Sequence, residues 1–386
     1  MVNLLLIALA ALAAATVIFL VALWPKGHIE HSSAVQITKS RGAEVLDVVT
    51  KSCATSLNGR CKVVTAKLLD GPDKGNRTSF AITPIPGLGN LKAGDRIRVI
   101  HNPPPPVGAT VKLPAYAFSD FDRRLPMLWL GIGFVVLLLA TGRLHGLRAL
   151  IGLVASILIV LRFVIPGILE GHSAVAMALT GSFAMMLITI PLCYGVGAKA
   201  IAAWLGTAFS LLLAVGLASA FTHLAHLTGT ASEEANFLGA TDTKISLQGL
   251  LLAGMVIGAL GVLIDLTVSQ ASTVIALRRV NPSLGFRGLF GGALEVGHDH
   301  IAATVNTLVF AYAGASLPVL LIFSIGGTPF TDAINSESVA EEVIAALVGS
   351  IGLIASMPIT TALAAVLATR MSDRQLARAE AHAHAH

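Results

Sequence analysis

Long apolar runs separated by short polar connections dominate the chain. They cover Val2 to Trp24, Leu125–Thr141, Leu150–Leu169, Ala174–Tyr194, Ile201–Leu227, Leu247–Ala271, Ile301–Ile325 and Val343–Leu367. Each is near the roughly 20 residues a helix needs to cross a hydrocarbon layer, and none shows the period-2 alternation of a barrel strand. Lipid offers no water to backbone amides, so such runs must be helices. The pattern predicts an α-helical transmembrane bundle of about eight spans. The first run lacks the basic start of a signal peptide and is longer than its usual apolar stretch, so residues 1–24 read as an uncleaved anchor.

Residues 25–124 follow a different rhythm. AEVLDVVT, CKVVTAKLL, RTSFAIT and RIRVIH are short alternating or β-branched runs, separated by turn sequences such as LLDGPDKGN and LKAGD. Four or five such strands suit a small β domain, OB-like in its spacing. NPPPPVG is a stiff spacer leading toward the seven-span bundle expected over residues 125–370. Residues 371–386, ending in AHAHAH, read as a flexible tail able to chelate metal only weakly.

Composition changes this picture little. The 386 residues are 55% hydrophobic and 12% charged, as a membrane protein requires. A net charge of +5 is compatible with nucleic-acid binding, but dense Lys/Arg blocks with interleaved aromatics are missing, so no nucleic-acid partner is expected. The basic residues instead orient the bundle. With the N-terminus inside, the cytoplasmic connections hold Arg143, Arg148, Lys199, Arg278, Arg279 and Arg287, and the C-terminal segment holds Arg370, Arg374 and Arg378. Both termini then lie in the cytoplasm and residues 25–124 outside. Cys53 and Cys61 bracket a polar turn and suit a disulfide if that domain meets an oxidising compartment; in the cytosol they stay reduced. Cys193, inside an apolar run, reads as a small packing residue.

Ionisable groups within a span are expensive, which makes each a functional candidate. Gly254, Gly258, Gly261, Asp265, Ser269 and Ser272 recur every three or four residues, placing a carboxylate on a helix face whose glycines suit a packing seam. In GGALEVGHDHIAATVNTLVFAYAG, Asp299 is positioned to cap the seventh span. His300, Thr304 and Thr307 continue inward with Asn306 alongside. Asp265 and Asn306 can then lie at comparable depth on facing helices, binding a cation or relaying a proton, with His298 and His300 collecting protons at the entrance. A duller reading makes Asn306 an interhelical hydrogen-bond donor and Asp299 only a cap. His298 and His300 do not share a helical face, so neither a metal site nor a cofactor is expected. His223 and His226 lie at the opposite end of the bundle, and Arg162 is expected to snorkel outward or meet Glu170.

From about Ala43 to Leu367 the chain resembles the YibE/F family of bacterial membrane proteins. GALGVLIDLTVSQAS followed by VNPS, and GHDHIAATVNTLVFAYAGASLP, carry the likeness; His298 stands where many relatives have arginine. The resemblance implies a multi-span protein of the bacterial cytoplasmic membrane with an extracytoplasmic N-terminal domain, and brings no established activity. A fainter likeness to the SecD/SecF and RND-type cores implies proton coupling through an intramembrane acid.

These readings point to an ion- or proton-coupled transporter or translocation accessory. The alternative is a non-transporting scaffold or sensor whose outer domain binds an envelope ligand or protein. An enzyme is not expected, because only one aspartate lies well inside a span. Besides the lipid bilayer, a second copy of the chain is a candidate partner, since glycine-rich faces pack between chains as well as within them.

Overall fold

The computed structural model describes residues 2–27, 39–52, 60–82, 91–102, 114–241 and 244–371. The chain divides into two compact units, Ser32–Leu137 and Met1–His31 with Leu138–His386.

In the first unit, β1 (Arg41–Ser52), β2 (Arg60–Leu68), β3 (Arg77–Ile82), β4 (Arg96–His101) and β5 (Tyr116–Phe121) form one antiparallel sheet. The strand order is β3-β2-β1-β4-β5. Alternation decides what is buried: Val64, Ala66 and Leu68 of β2 point inward with Val45, Phe80, Ile97 and Val99. Register shifts at Val45/Asp47 and Arg98/Val99 curl the sheet until its two edge strands, β3 and β5, approach each other. The turn after β2 is pinned by charge. The Asp70 carboxylate accepts from the Gly42 amide at 2.9 Å and faces Arg98 at 3.5 Å. Tyr116, buried beneath the turn, donates its hydroxyl proton to Asp73 and accepts from Arg41 at 2.9 Å. Burial, reinforced by the bond to Asp73, pushes the Tyr116 hydroxyl above its ordinary pKa, keeping it a donor. Cys61 is buried and disulfide-bonded, whereas Cys53 lies outside the described residues.

The helical unit begins with α1 (Val2–Ala22). After the β strands, α2 (Arg124–Ile159) runs through a π turn at Val160–Val164 into α3 (Ile165–Leu169). Arg143 interrupts this apolar stretch with φ 45° and ψ −124°. A side chain on Gly146 would collide with the Leu138 carbonyl oxygen, whereas residues eight apart in an unbroken helix are separated by about 12 Å. The chain therefore doubles back at Arg143, between the second and third apolar runs. Next come α4 (Ala174–Tyr194), α5 (Ala198–Leu224), α6 (Glu233–Thr241), α7 (Leu247–Val280), α8 (Phe286–Ile325), α9 (Phe330–Asn335) and α10 (Glu337–Ala368). Ser173 and Ser246 start α4 and α7 by accepting from Ala176 and Gly249 amides.

Among the described residues, seven helices are long and apolar enough to cross a membrane by length and composition, the second being the broken run Arg124–Leu169. Large apolar side chains such as Leu130, Phe310 and Ile325 are exposed on them, an arrangement suited to lipid. The helices outrun the apolar segments that mark them: α7 continues to Val280 rather than Ala271, and α8 starts at Phe286 rather than Ile301.

Helices α5, α7 and α10 form the centre, each packing on the other two. Helix α4 leans on α7 and α5, α8 on α10 and α7, and α1 on α4 and α5. Small residues permit the close approach: a Cβ on Gly206 would occupy the space of the Thr360 side chain. Some polar groups in this dry centre find partners, whereas the buried hydroxyls of Ser210, Ser350 and Thr360 have none among the described residues. The Thr207 and Thr267 hydroxyls lie 2.7 Å apart, and Thr361 donates to the Gln270 carbonyl at 3.1 Å. A hydroxyl carries one proton, so one of Thr207 and Thr267 donates to the other while the acceptor of that bond donates to its own helix, at Ala203 or Leu263 respectively, and Thr361 shares its proton between Gln270 and the Met357 carbonyl.

Gly206→Val is expected to force α5 away from α10 and lower stability by about 1–3 kcal/mol. Gly216→Val, on the same helix where a Cβ meets nothing within 4 Å, should leave it unchanged. Unfolding of the detergent-solubilised protein followed by circular dichroism measures the difference.

Candidate functional site

The helix period of α7 does gather Gly254, Gly258, Gly261 and Asp265 on one exposed face, opposite the buried Leu252, Leu263 and Leu266. Among the described residues, however, the expected packing seam meets no closely packed helix. A Cβ on Gly254 or Gly261 would touch nothing within 4 Å, and one on Gly258 would find only the Tyr312 hydroxyl at 3.5 Å. The strip is open.

Helix α8 runs antiparallel beside it. Leu277 lies against Gly292, Gln270 against Gly297 and Gly258 near Tyr312. At the intervening level His300 Nε2 lies 3.7 Å from Asp265 Oδ2, with the Asp265 side chain 72% exposed and that of His300 33%. The structure thus gives Asp265 a partner, but it is His300 and not Asn306. Six residues after His300, Asn306 points about 240° around the helix, and it is exposed without a hydrogen bond among the described residues. The expected pairing of Asp265 with Asn306 is not formed.

Asp299 also departs from expectation. It lies within α8, several turns past the true N-cap at Gly285, and is exposed, so it caps no helix. The polar HDH triplet resembles a boundary, yet the preceding FRGLFGGALEV contains no proline and continues the helix, while Pro282 and Gly285 supply the break. His298 is exposed, on a different face from His300. Thr307 is exposed and donates to the Ala303 carbonyl at 2.9 Å; Thr304 donates to the His300 carbonyl at 2.8 Å. Thr304 thereby ties itself to the backbone of the residue that faces Asp265.

Gln270 is the polar residue that sequence reasoning passed over. It is 1% exposed, and the absent side chain of Gly297 leaves room for it and for Met357. Five residues beyond Asp265, it points about 140° away from the open strip, into the bundle. That angular offset was the available signal. The site is consequently two-sided: Gln270 fixes α7 inward while Asp265 and His300 remain accessible. An imidazole and a carboxylate 3.7 Å apart attract when the imidazole is charged, and they can exchange a proton through one water or after a small approach.

At the opposite end of the bundle, Glu337 accepts from the amides of Thr228 and Gly229 and from the Thr228 hydroxyl, clamping the loop after α5 to the start of α10. Glu341 and Glu342 follow within α10, which starts earlier than the expected Val343. His226 and Glu337 border an open cleft of about 600 Å³ with Phe330 and Ile334. Arg162 is exposed on the π turn. The Glu170 carboxylate instead accepts from the Lys26 and Gly27 amides, at 3.2 and 2.5 Å. Among the described residues, no group of three or more His, Cys, Asp or Glu is placed to hold a metal ion.

The family model described as YibE/F-like protein matches residues 130–370. No curated protein and no solved structure matches the chain.

Glu337→Ala is expected to free the Thr228–Gly229 loop. Amide hydrogen exchange there should accelerate by at least tenfold, while the helical interior around Thr267 stays protected.

Proposed function

The chain belongs to the YibE/F-like family, and we propose that it is an ion- or proton-coupled transporter or translocation accessory whose titratable centre is the Asp265–His300 pair. The observation carrying this reading is a largely uncovered carboxylate, 3.7 Å from an imidazole, in a helix otherwise apolar enough to cross a membrane. An isolated acid placed there costs about 3 kcal/mol or more, which packing alone does not explain. Proton exchange with histidine offers the carboxylate a use. Thr304 and Thr307 belong to the surroundings of the pair, while Asn306 and Asp299 fall outside its immediate contacts.

In this proposal the protein resides in the bacterial cytoplasmic membrane and crosses it about eight times, the reversal at Arg143 separating two of the crossings. Both termini face the cytoplasm and residues 25–124 lie outside, supported by the placement of arginines and by the disulfide at Cys61. The strand order β3-β2-β1-β4-β5, with β3 and β5 approaching, supports an OB-like outer domain. The chain acts without an enzymatic step.

One observation favours the second reading, a scaffold or sensor: Asn306 faces away from Asp265, so the two do not line one conduit. Asp265→Asn distinguishes them. Under the transport reading, the variant reconstituted in vesicles should carry at least tenfold less proton flux than the wild type under an imposed potential. Unchanged flux would transfer the function to the outer domain, where deletion of residues 43–118 would abolish it.

A further inference from the structure

Three polar side chains on the outer side of α8 have nothing to pair with among the described residues. Glu295, Asp299 and Asn306 are spaced by four and seven residues, so they share one face. All three are exposed and make no hydrogen bond or ion pair among the described residues. The surrounding face carries Ala302, Ala303 and Phe310, also exposed. Lipid tails leave the amide of Asn306 unsatisfied, and anionic headgroups repel the two carboxylates. A protein surface offering a cation at the right depth would satisfy them.

The chain itself carries that cation. Arg148, on the part of α2 that follows Arg143, is exposed and without an ion pair among the described residues. Its level along the bundle can be traced through contacts. Gly152 packs on Thr189 and Cys193 near the end of α4, so Arg148, one turn before Gly152, lies level with the last turn of α4 or just past it. Helix α4 runs parallel to α7, the start of each meeting at Ala174 and Gly249, so the end of α4 lies level with Gln270 of α7. Helix α7 in turn meets α8 at Gln270 and Gly297. Arg148 therefore stands at the depth of Gly297, between Glu295 and Asp299. Within one chain the two surfaces are separated, Arg148 beside α4 and the acids on the far side of α8.

Two copies in one bilayer are related by rotation about the membrane normal, which preserves depth. We propose that this face binds a second copy of the chain, Arg148 of one copy meeting Glu295 and Asp299 of the other, with Asn306 buried in the same contact. A twofold arrangement forms the contact twice, and the open strip around Asp265, between α4 and α8, is then covered on one side by the other copy.

The test uses the full-length protein in lipid nanodiscs and detergent. Asp299→Arg and Arg148→Asp should each weaken self-association on the order of tenfold or more, and combining them in one chain should restore it. Separately, Arg148→Cys with Asp299→Cys, in a Cys193→Ser background, should give a disulfide-linked dimer when isolated native membranes are treated with the oxidant copper–phenanthroline. Failure of the double charge reversal to restore association, a wild-type protein that stays monomeric, or the absence of the cross-link would each overturn the proposal. Cross-linking of Asp299→Cys only to a different protein would overturn it as well. The cross-link remains decisive if a charge-reversed chain fails to fold.

Discussion

A polar group taken into hydrocarbon is costly unless a partner comes with it, and the helical unit meets this cost differently inward and outward. Inward, Thr207 meets Thr267 and Thr361 meets Gln270 at the junction of α5, α7 and α10. Outward, Asp265 keeps one imidazole and Asn306 has no partner among the described residues. Hydrophobicity does not drive helix association in lipid as it does in water, so the centre depends on close approach and on these bonds. Gly206 is the clearest instance, because the Thr360 side chain occupies the place its own would fill.

The same constraint assigns opposite meanings to residues that look alike in sequence. Gly206 and Gly297 lie where neighbouring side chains fill their space, whereas Gly254 and Gly261 border emptiness. Glycine content alone cannot separate a seam inside one chain from a face waiting for another surface. The distinction emerges only when Asp265, on the same face as the second pair, is found largely uncovered. A carboxylate that the described residues leave largely uncovered is explained either by chemistry at that position or by a neighbour, and His300 supplies the first partner.

Much of the architecture was legible because hydropathy reports directly on where lipid can be tolerated. The reversal at Arg143 falls in the gap between Leu125–Thr141 and Leu150–Leu169, and β1 to β4 fall where alternation placed strands, whereas β5, Tyr116–Phe121, matches none of the named runs. Helix ends were less legible, since a helix continues past its apolar segment whenever its residues favour it; α8 accordingly begins at Phe286 and absorbs the HDH triplet. That shift removed the capping role of Asp299. The site was legible to the extent of Asp265 and His300. Pairing Asp265 with Asn306 failed because depth was estimated without rotation: the two residues lie on adjacent helices, but Asn306 is turned about 240° from His300 around α8.

Rotation also limits what an ion-coupled mechanism can use. Along α8, His300 and Thr304 lie one turn apart on the side that α7 approaches, and Tyr312 reaches the Gly258 level two turns beyond Thr304. A path beginning at Asp265 would have to follow this edge, where the absent side chains of Gly261 and Gly258 leave room beside α7. It would not cross to the outer face that holds Asp299 and Asn306. The two polar faces of α8 therefore answer different physical demands: one keeps a titratable pair next to space, the other presents groups that no described residue satisfies. A single mechanism drawing on both faces would require α8 to rotate, and the insertion of Gln270 and Met357 into the space at Gly297 opposes that rotation.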